Sequence, residues 1–348
     1  MILDVHKYSF INAKIRGMKS RLLDDVKYRQ LLETTHLEGF LKVLQETAYA
    51  PQLMDVDSGD PDISEITRAL DQNLLKTYHT IFKFFNPKVE SSFLFQLLGK
   101  LEVENLKIIL RGKYKGVSAP LISDTLVETN GYSKLDFEEL LNSKDIAHFI
   151  SELSSSPYGS VLEKTLPIFE KEHRTIVLER CFDRVHYTQL WDAMNQLSGL
   201  DRDMVKMYLG SFFDVTNIMI ILRYRLFYEM MPQDISAMMH PMKYKLSAED
   251  AERLLSVTEE DYRDVFAGTY YGKRVGPYQN LSELERSLNL VLLSVIRKML
   301  TGPPFHLGTL VAYLSLKEIE VNNLKSIAEG KRHALGEEDI SNVLILTQ

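Results

Sequence analysis

The chain has 348 residues, 45% hydrophobic and 26% charged, with 17 Gly and 11 Pro, which excludes disorder and allows two or three domains with a sizeable core. A net charge of -7 argues against a protein that grips nucleic acid over a broad surface. A single cysteine, Cys181, leaves no intrachain disulfide, so a reducing compartment, the cytoplasm, is expected.

The N-terminal stretch MILDVHKYSFINAKIRGMKS mixes acid and base and has no apolar h-region before a small-residue cleavage site, so it does not read as a secretory signal. Next comes LLETTHLEGFLKVLQETAY at 31–49, then a helix predicted over 64–85 from apolar residues at three-and-four spacing. LEVENLKIILRGK at 101–113 is a second amphipathic helix. Ser133 with Asp136 reads as a helix start before LLNSKDIAHFISELSSSPY at 140–158. Pro167 lies inside a helical pattern and implies a helix start near Leu166 or a kink. FDVTNIMIILRYR follows at 213–225, then a Met-rich segment at 225–244, suited to adaptable contacts or to core filling. Ser247 with Asp250 opens LLSVTEEDYRDVFAGTYY at 254–271. A helix is predicted over 282–300, and IEVNNLKSIAEGK closes the series at 319–331. The other prolines stand in the gaps, and no run alternates as a strand would, so the expected class is all-α. No run approaches the roughly 18 consecutive apolar residues of a membrane span; the longest, LNLVLLSVI, stops at Arg297 and Lys298.

Two of these segments recur. The paired-leucine segments place an aromatic at Phe40, Phe149 and Tyr262, an apolar residue four later at Leu44, Leu153 and Phe266, and end in Thr47/Tyr49, Ser156/Tyr158 and Thr269/Tyr271. The asparagine segments share Asn105, Asn217 and Asn323. Equivalent residues lie about 110 apart, the size of a small domain. That period excludes tetratricopeptide, ankyrin, HEAT and armadillo arrays, whose repeats are far shorter. The expected division is three similar helical domains at 1–118, 119–236 and 237–348, a pseudo-threefold body shaped to fit around or onto an axis.

Relative to each asparagine, Val103, Val215 and Val321 stand at −2, and Leu106, Ile218 and Leu324 at +1, within one apolar stripe. Carboxylates occupy −3 (Glu102, Asp214, Glu320) and bases +8 (Lys113, Arg225, Lys331), about three helical turns apart. Asparagine is a poor interior helix residue, so its recurrence implies a hydrogen-bonding task, the amide tying its helix to a neighbouring helix or turn. A ligand-binding amide would need its companions to repeat, yet +6 is Arg111, Arg223 and then Glu329.

YSFINAKIRGMKSRLL at 8–23, with the ETAY end of the first segment and KLEVENLKIILRGK, resembles the C subunits of the archaeal and bacterial A/V-type ATP synthases, relatives of the d subunit of eukaryotic vacuolar ATPases. The resemblance covers essentially the whole chain. It implies a funnel of three related helical domains with no active site. It also implies a rotor part between the central-stalk subunits D and F of the ATPase head and the membrane proteolipid ring, peripheral to the membrane. The third copy departs most, with Ala328 and Glu329, which puts equivalence of the three domains in partner contact in doubt.

Catalytic signatures are weak by comparison. GTYYGKRVG at 268–276 has three residues between its glycines where a Walker A loop has four, and Arg274 follows Lys273 where Ser or Thr is needed. Histidines such as His79 and His173 stand alone, no pair has metal-ligand spacing, and Asp24 and Asp25 are followed by Val26. No Gly-x-Ser-x-Gly elbow is present. The expectation is therefore no catalytic, cofactor or metal site. The alternative is an all-helical enzyme whose site is assembled from dispersed residues.

Overall fold

Three helices of 26, 28 and 26 residues, Val89–Tyr114, Gly199–Leu226 and Leu307–Arg332, carry the repeat asparagines and organise the rest of the chain. At 1.5 Å per residue each spans about 40 Å, too long to sit in one small domain. The computed structural model describes residues 2–83, 89–127, 129 and 133–346; among them it has seventeen α-helices and no strand, so the all-α class holds.

The helix expected over 64–85 runs Ile63–Phe82, capped by Asp62, with residues 84 and 85 outside those described. The helix expected over 282–300 is Leu281–Thr301, capped by Asn280. Ser247 caps its helix through the Asp250 N–H, as expected from the sequence. Ser133 does not cap. Asp136 takes that role for Phe137–Asn142, and the Ser133 hydroxyl is turned to Glu102 instead. Pro167 starts nothing either: it lies inside the helix Gly159–Glu172.

Each asparagine helix packs along a further long helix, and Leu281–Thr301 lies on two of them, the Asn217 and Asn323 helices. The Asn105 helix lies on Thr175–Asn195, the Asn217 helix on Leu281–Thr301, and the Asn323 helix on Ile63–Phe82. Buried apolar side chains form three clusters. The largest is a hub built from the N-terminal halves of all three asparagine helices: Phe93, Leu94 and Leu98; Val205, Leu209 and Phe213; Leu310, Val311 and Leu314. Beyond the hub, the C-terminal half of the Asn105 helix packs with Phe149, Leu153, Tyr158 and Phe182. That of the Asn217 helix packs with Leu254, Tyr262, Phe266 and Tyr271. That of the Asn323 helix joins Leu31, Phe40, Leu44 and Tyr49 from the start of the chain, continuous with the hub.

The sequence shows no span, yet one helix among the described residues, Gly199–Leu226, is long and apolar enough to cross a membrane. Most of its apolar stretch is buried inside the protein, where it serves hub and unit at once and so has no polar face to reveal it as a core helix.

Candidate functional site

The three asparagines make the same pair of bonds. Asn105 donates from Nδ2 to the Val127 carbonyl at 2.7 Å and accepts the Val127 N–H at 2.8 Å. Asn217 brackets His240 at 3.0 and 2.8 Å, and Asn323 brackets Ile345 at 2.8 and 3.0 Å. Each bracketed residue lies 22 or 23 positions further on, in chain that has no ladder partner, so the amide completes both backbone groups as a strand neighbour would.

The carboxylate at −3 receives the repeat tyrosine. Tyr158 donates to Glu102 at 2.7 Å, Tyr271 to Asp214 at 2.8 Å and Tyr49 to Glu320 at 2.8 Å. Asp214 also accepts three consecutive N–H groups, from Tyr244, Lys245 and Leu246, at 2.5–3.0 Å. Burial pushes the Asp214 carboxyl above the usual carboxylate range, with those donors acting against the shift. Glu320 accepts the Leu23 N–H and the Lys317 ammonium, the latter at 2.9 Å and also 3.9 Å above the Tyr49 ring. The base at +8 closes the paired-leucine helix: Lys113 donates to the Leu141 and Ser143 carbonyls, Arg225 to Val257, and Lys331 to Leu32. Thr47, Ser156 and Thr269 cap the carbonyls of Leu44, Leu153 and Phe266. Carboxylate, amide, base and hydroxyl are thus all engaged within the protein, Asp214, Glu320, the amides and the bases directly on backbone and Glu102 on the Tyr158 and Ser133 hydroxyls.

The asparagines and the tyrosines both recur in the sequence, whereas the assignment of each tyrosine to a carboxylate is not visible there. The +2 and +6 positions do have a structural role. Lys107 meets Asp183 at 2.7 Å, Arg111 meets Glu179 at 2.5 Å, Arg223 meets Glu285 at 2.9 Å, and Lys325 meets Asp71 at 2.6 Å. GTYYGKRVG ends one helix and turns through Gly272–Arg274, with the Arg274 guanidinium 3.5 Å from the Tyr270 ring centre. Among the described residues, no group of three or more His, Cys, Asp or Glu side chains could hold a metal ion.

Two features lie where the units meet. Lys100 on the Asn105 helix pairs with Glu318 on the Asn323 helix at 2.8 Å, and Tyr78 also donates to Glu318. The pair borders a cavity of about 60 Å³ shared with His186, Tyr187 and Tyr208. A groove of about 820 Å³ opens beside it between the Ile63–Phe82, Asn105 and Asn323 helices. Seven carboxylates and five cationic side chains line the groove, so it does not suit a polyanion.

A long helix shared between a common hub and an outlying unit, three times over, is a plan that similarity can now place. The model of the family described as ATP synthase (C/AC39) subunit matches residues 11–343. The chain belongs to that family. It is similar to the A-type ATP synthase C subunit of Methanocaldococcus jannaschii, 26% identical over 99% of this chain and 88% of the relative. The relative of the same name from Methanothermobacter thermautotrophicus is 28% identical over 95% of this chain and 86% of the relative. That of Haloquadratum walsbyi is 24% identical over 95% and 96%. The family match includes all three asparagine helices with their brackets at Val127 and His240, and ends two residues short of the bracket at Ile345.

Proposed function

We propose that this chain is the non-catalytic coupling subunit of an A/V-type rotary ATP synthase. In this reading it sits between the central-stalk subunits D and F and the membrane proteolipid ring, peripheral to the membrane on its cytoplasmic side. It links ion transport to ATP synthesis or hydrolysis. The observation that carries the reading is the family match, which spans hub and units alike.

The hub supports it physically. A part that transmits torque must not bend between its two attachments. Here the same three helices leave the hub and become the cores of the units, so a load on one end is carried along continuous hydrogen-bonded helix. The test is to remove this protein from the assembled enzyme in reconstituted vesicles and measure ATP hydrolysis beside ion transport. Hydrolysis by the head is expected to persist while pumping and ion-driven synthesis disappear. Pumping at the intact ratio of ions to ATP without it would overturn the assignment.

A further inference from the structure

The bonds of the repeat join segments that the sequence period separates. Glu102 takes Tyr158 and Asp214 takes Tyr271, 56 and 57 residues further along; Glu320 takes Tyr49, 271 residues back. Lys113 and Arg225 reach forward to Leu141 and Val257, whereas Lys331 reaches back 299 residues to Leu32. Two sets are therefore continuous in sequence, one from Val103 to Phe182 and one from Val215 to Leu292. The third is split between the two ends of the chain. The expected boundaries at 118/119 and 236/237 fall between an asparagine and the residue it brackets.

We infer that the split unit is a latch: residues 23–53 and 320–345, joined by no neighbouring stretch of chain, close on each other through Glu320 and open as a pair while the other two units stay shut. A second observation points the same way. At −6 from the asparagine the continuous units carry Gly99 and Ser211, while the split unit carries Lys317, buried, on the Glu320 carboxylate and over the Tyr49 ring. Asn323 also gains a bond to the Tyr28 hydroxyl. The extra cation stands where the chain connection is missing. In the continuous units the segment bracketed by the asparagine runs on into the next helix, through Leu246 to Ser247 in one case. In the split unit the asparagine brackets Ile345, and Leu23, 297 residues before Glu320, supplies the N–H that Leu246 supplies elsewhere.

How the chain closes is independent of its proposed function. Hydrogen–deuterium exchange of the full-length protein tests the latch with three variants. Lys317→Met leaves Glu320 buried without its cation, and Tyr49→Phe removes a single hydroxyl, a change mild enough to keep the fold. In each, exchange across 23–53 and 320–345 is expected to quicken together, by roughly tenfold or more for Lys317→Met, with 135–169 and 244–284 unchanged. Asn105→Leu should instead quicken 135–169 and leave 23–53 alone. If Tyr49→Phe and Lys317→Met speed exchange in only one of the two end segments, or if Asn105→Leu loosens 23–53, the latch is wrong and the units follow the sequence period.

Discussion

Asn217 shows what a single amide contributes. It is fully buried, and both its bonds to His240 are buried too, so Asn217→Leu strands an N–H and a carbonyl with no water to take them. A loss of about 1–3 kcal/mol is expected, with smaller losses for Asn105→Leu and Asn323→Leu, whose brackets are partly open. Thermal melts of the three variants decide it; unchanged melting in all three would remove the structural role. The bracketed residue has a second property. His240 and His186 are each 2% exposed, and burial holds both near a pKa of about 3, against about 6.5 in an unfolded chain. The unfolded state therefore binds more protons between those values. Stability is complete above pH 6.5 and falls as the pH drops toward 3, at about 1.4 kcal/mol per pH unit for each histidine. Asp214, with its pKa raised, acts in the opposite sense, relieving the native state as it protonates. His240→Phe should lessen the acid slope by about one histidine's share, measured as denaturation midpoints from pH 7 to pH 4.5. An unchanged slope would show that His240 is already charged in the fold.

At the scale of elements, glycine sets how closely the long helices approach their neighbours. A Cβ on Gly112 would stand 2.5 Å from Ile122 Cδ1, and one on Gly330 would stand 2.5 Å from Ile340 Cγ1, the same contact in two units. Gly112→Ala improves helix propensity by about 1 kcal/mol, but the crowding outweighs that gain, and a net loss of about 1–2 kcal/mol is expected. Combining it with Ile122→Ala should cost less than the sum of the single changes, by about 0.5–3 kcal/mol in a denaturant-unfolding cycle. Strict additivity would mean the two side chains do not share the space. Pro167 makes the converse point. A proline inside a helix removes one hydrogen bond, but both Pro167 and Glu163, whose carbonyl loses its partner, are exposed, so water replaces the bond and the helix runs through. The expectation of a helix start near Leu166 fails there because it takes no account of solvent.

For the molecule as a body, stiffness depends on where the chain is continuous. An insertion of Gly and Ser near Ser118 or near Ala237, at the junctions expected from the sequence period, would enter the segments that bring Val127 and His240 to their asparagines. Such insertions should lower thermal stability as well as uncouple pumping. An insertion after Gly302, between the helices Leu281–Thr301 and Leu307–Arg332, enters an exposed connection. It is expected to leave ATP hydrolysis near its starting level and lower ion transport in proportion to the play it adds. Transport unaffected by insertions at all three places would mean that the body is not a torque path.

The helical class, the three copies and the offsets of carboxylate, asparagine and base are legible in the order of residues alone, because three-and-four periodicity, caps and spacing are properties of near neighbours. So is the likeness to a family that the match over residues 11–343 bears out. Which copy of each segment meets which is settled only by packing. A repeat of about 110 residues reads the same whether an asparagine helix is assigned to the tyrosine before it or to the one after it. Both pairings satisfy the same chemistry on paper. Glu102 takes Tyr158 rather than Tyr49 because the far half of its helix, about 40 Å long and leaving a shared hub, is buried in one cluster with Phe149, Leu153 and Tyr158. The Asn323 helix buries its far half against Leu31, Phe40, Leu44 and Tyr49 from the first copy instead.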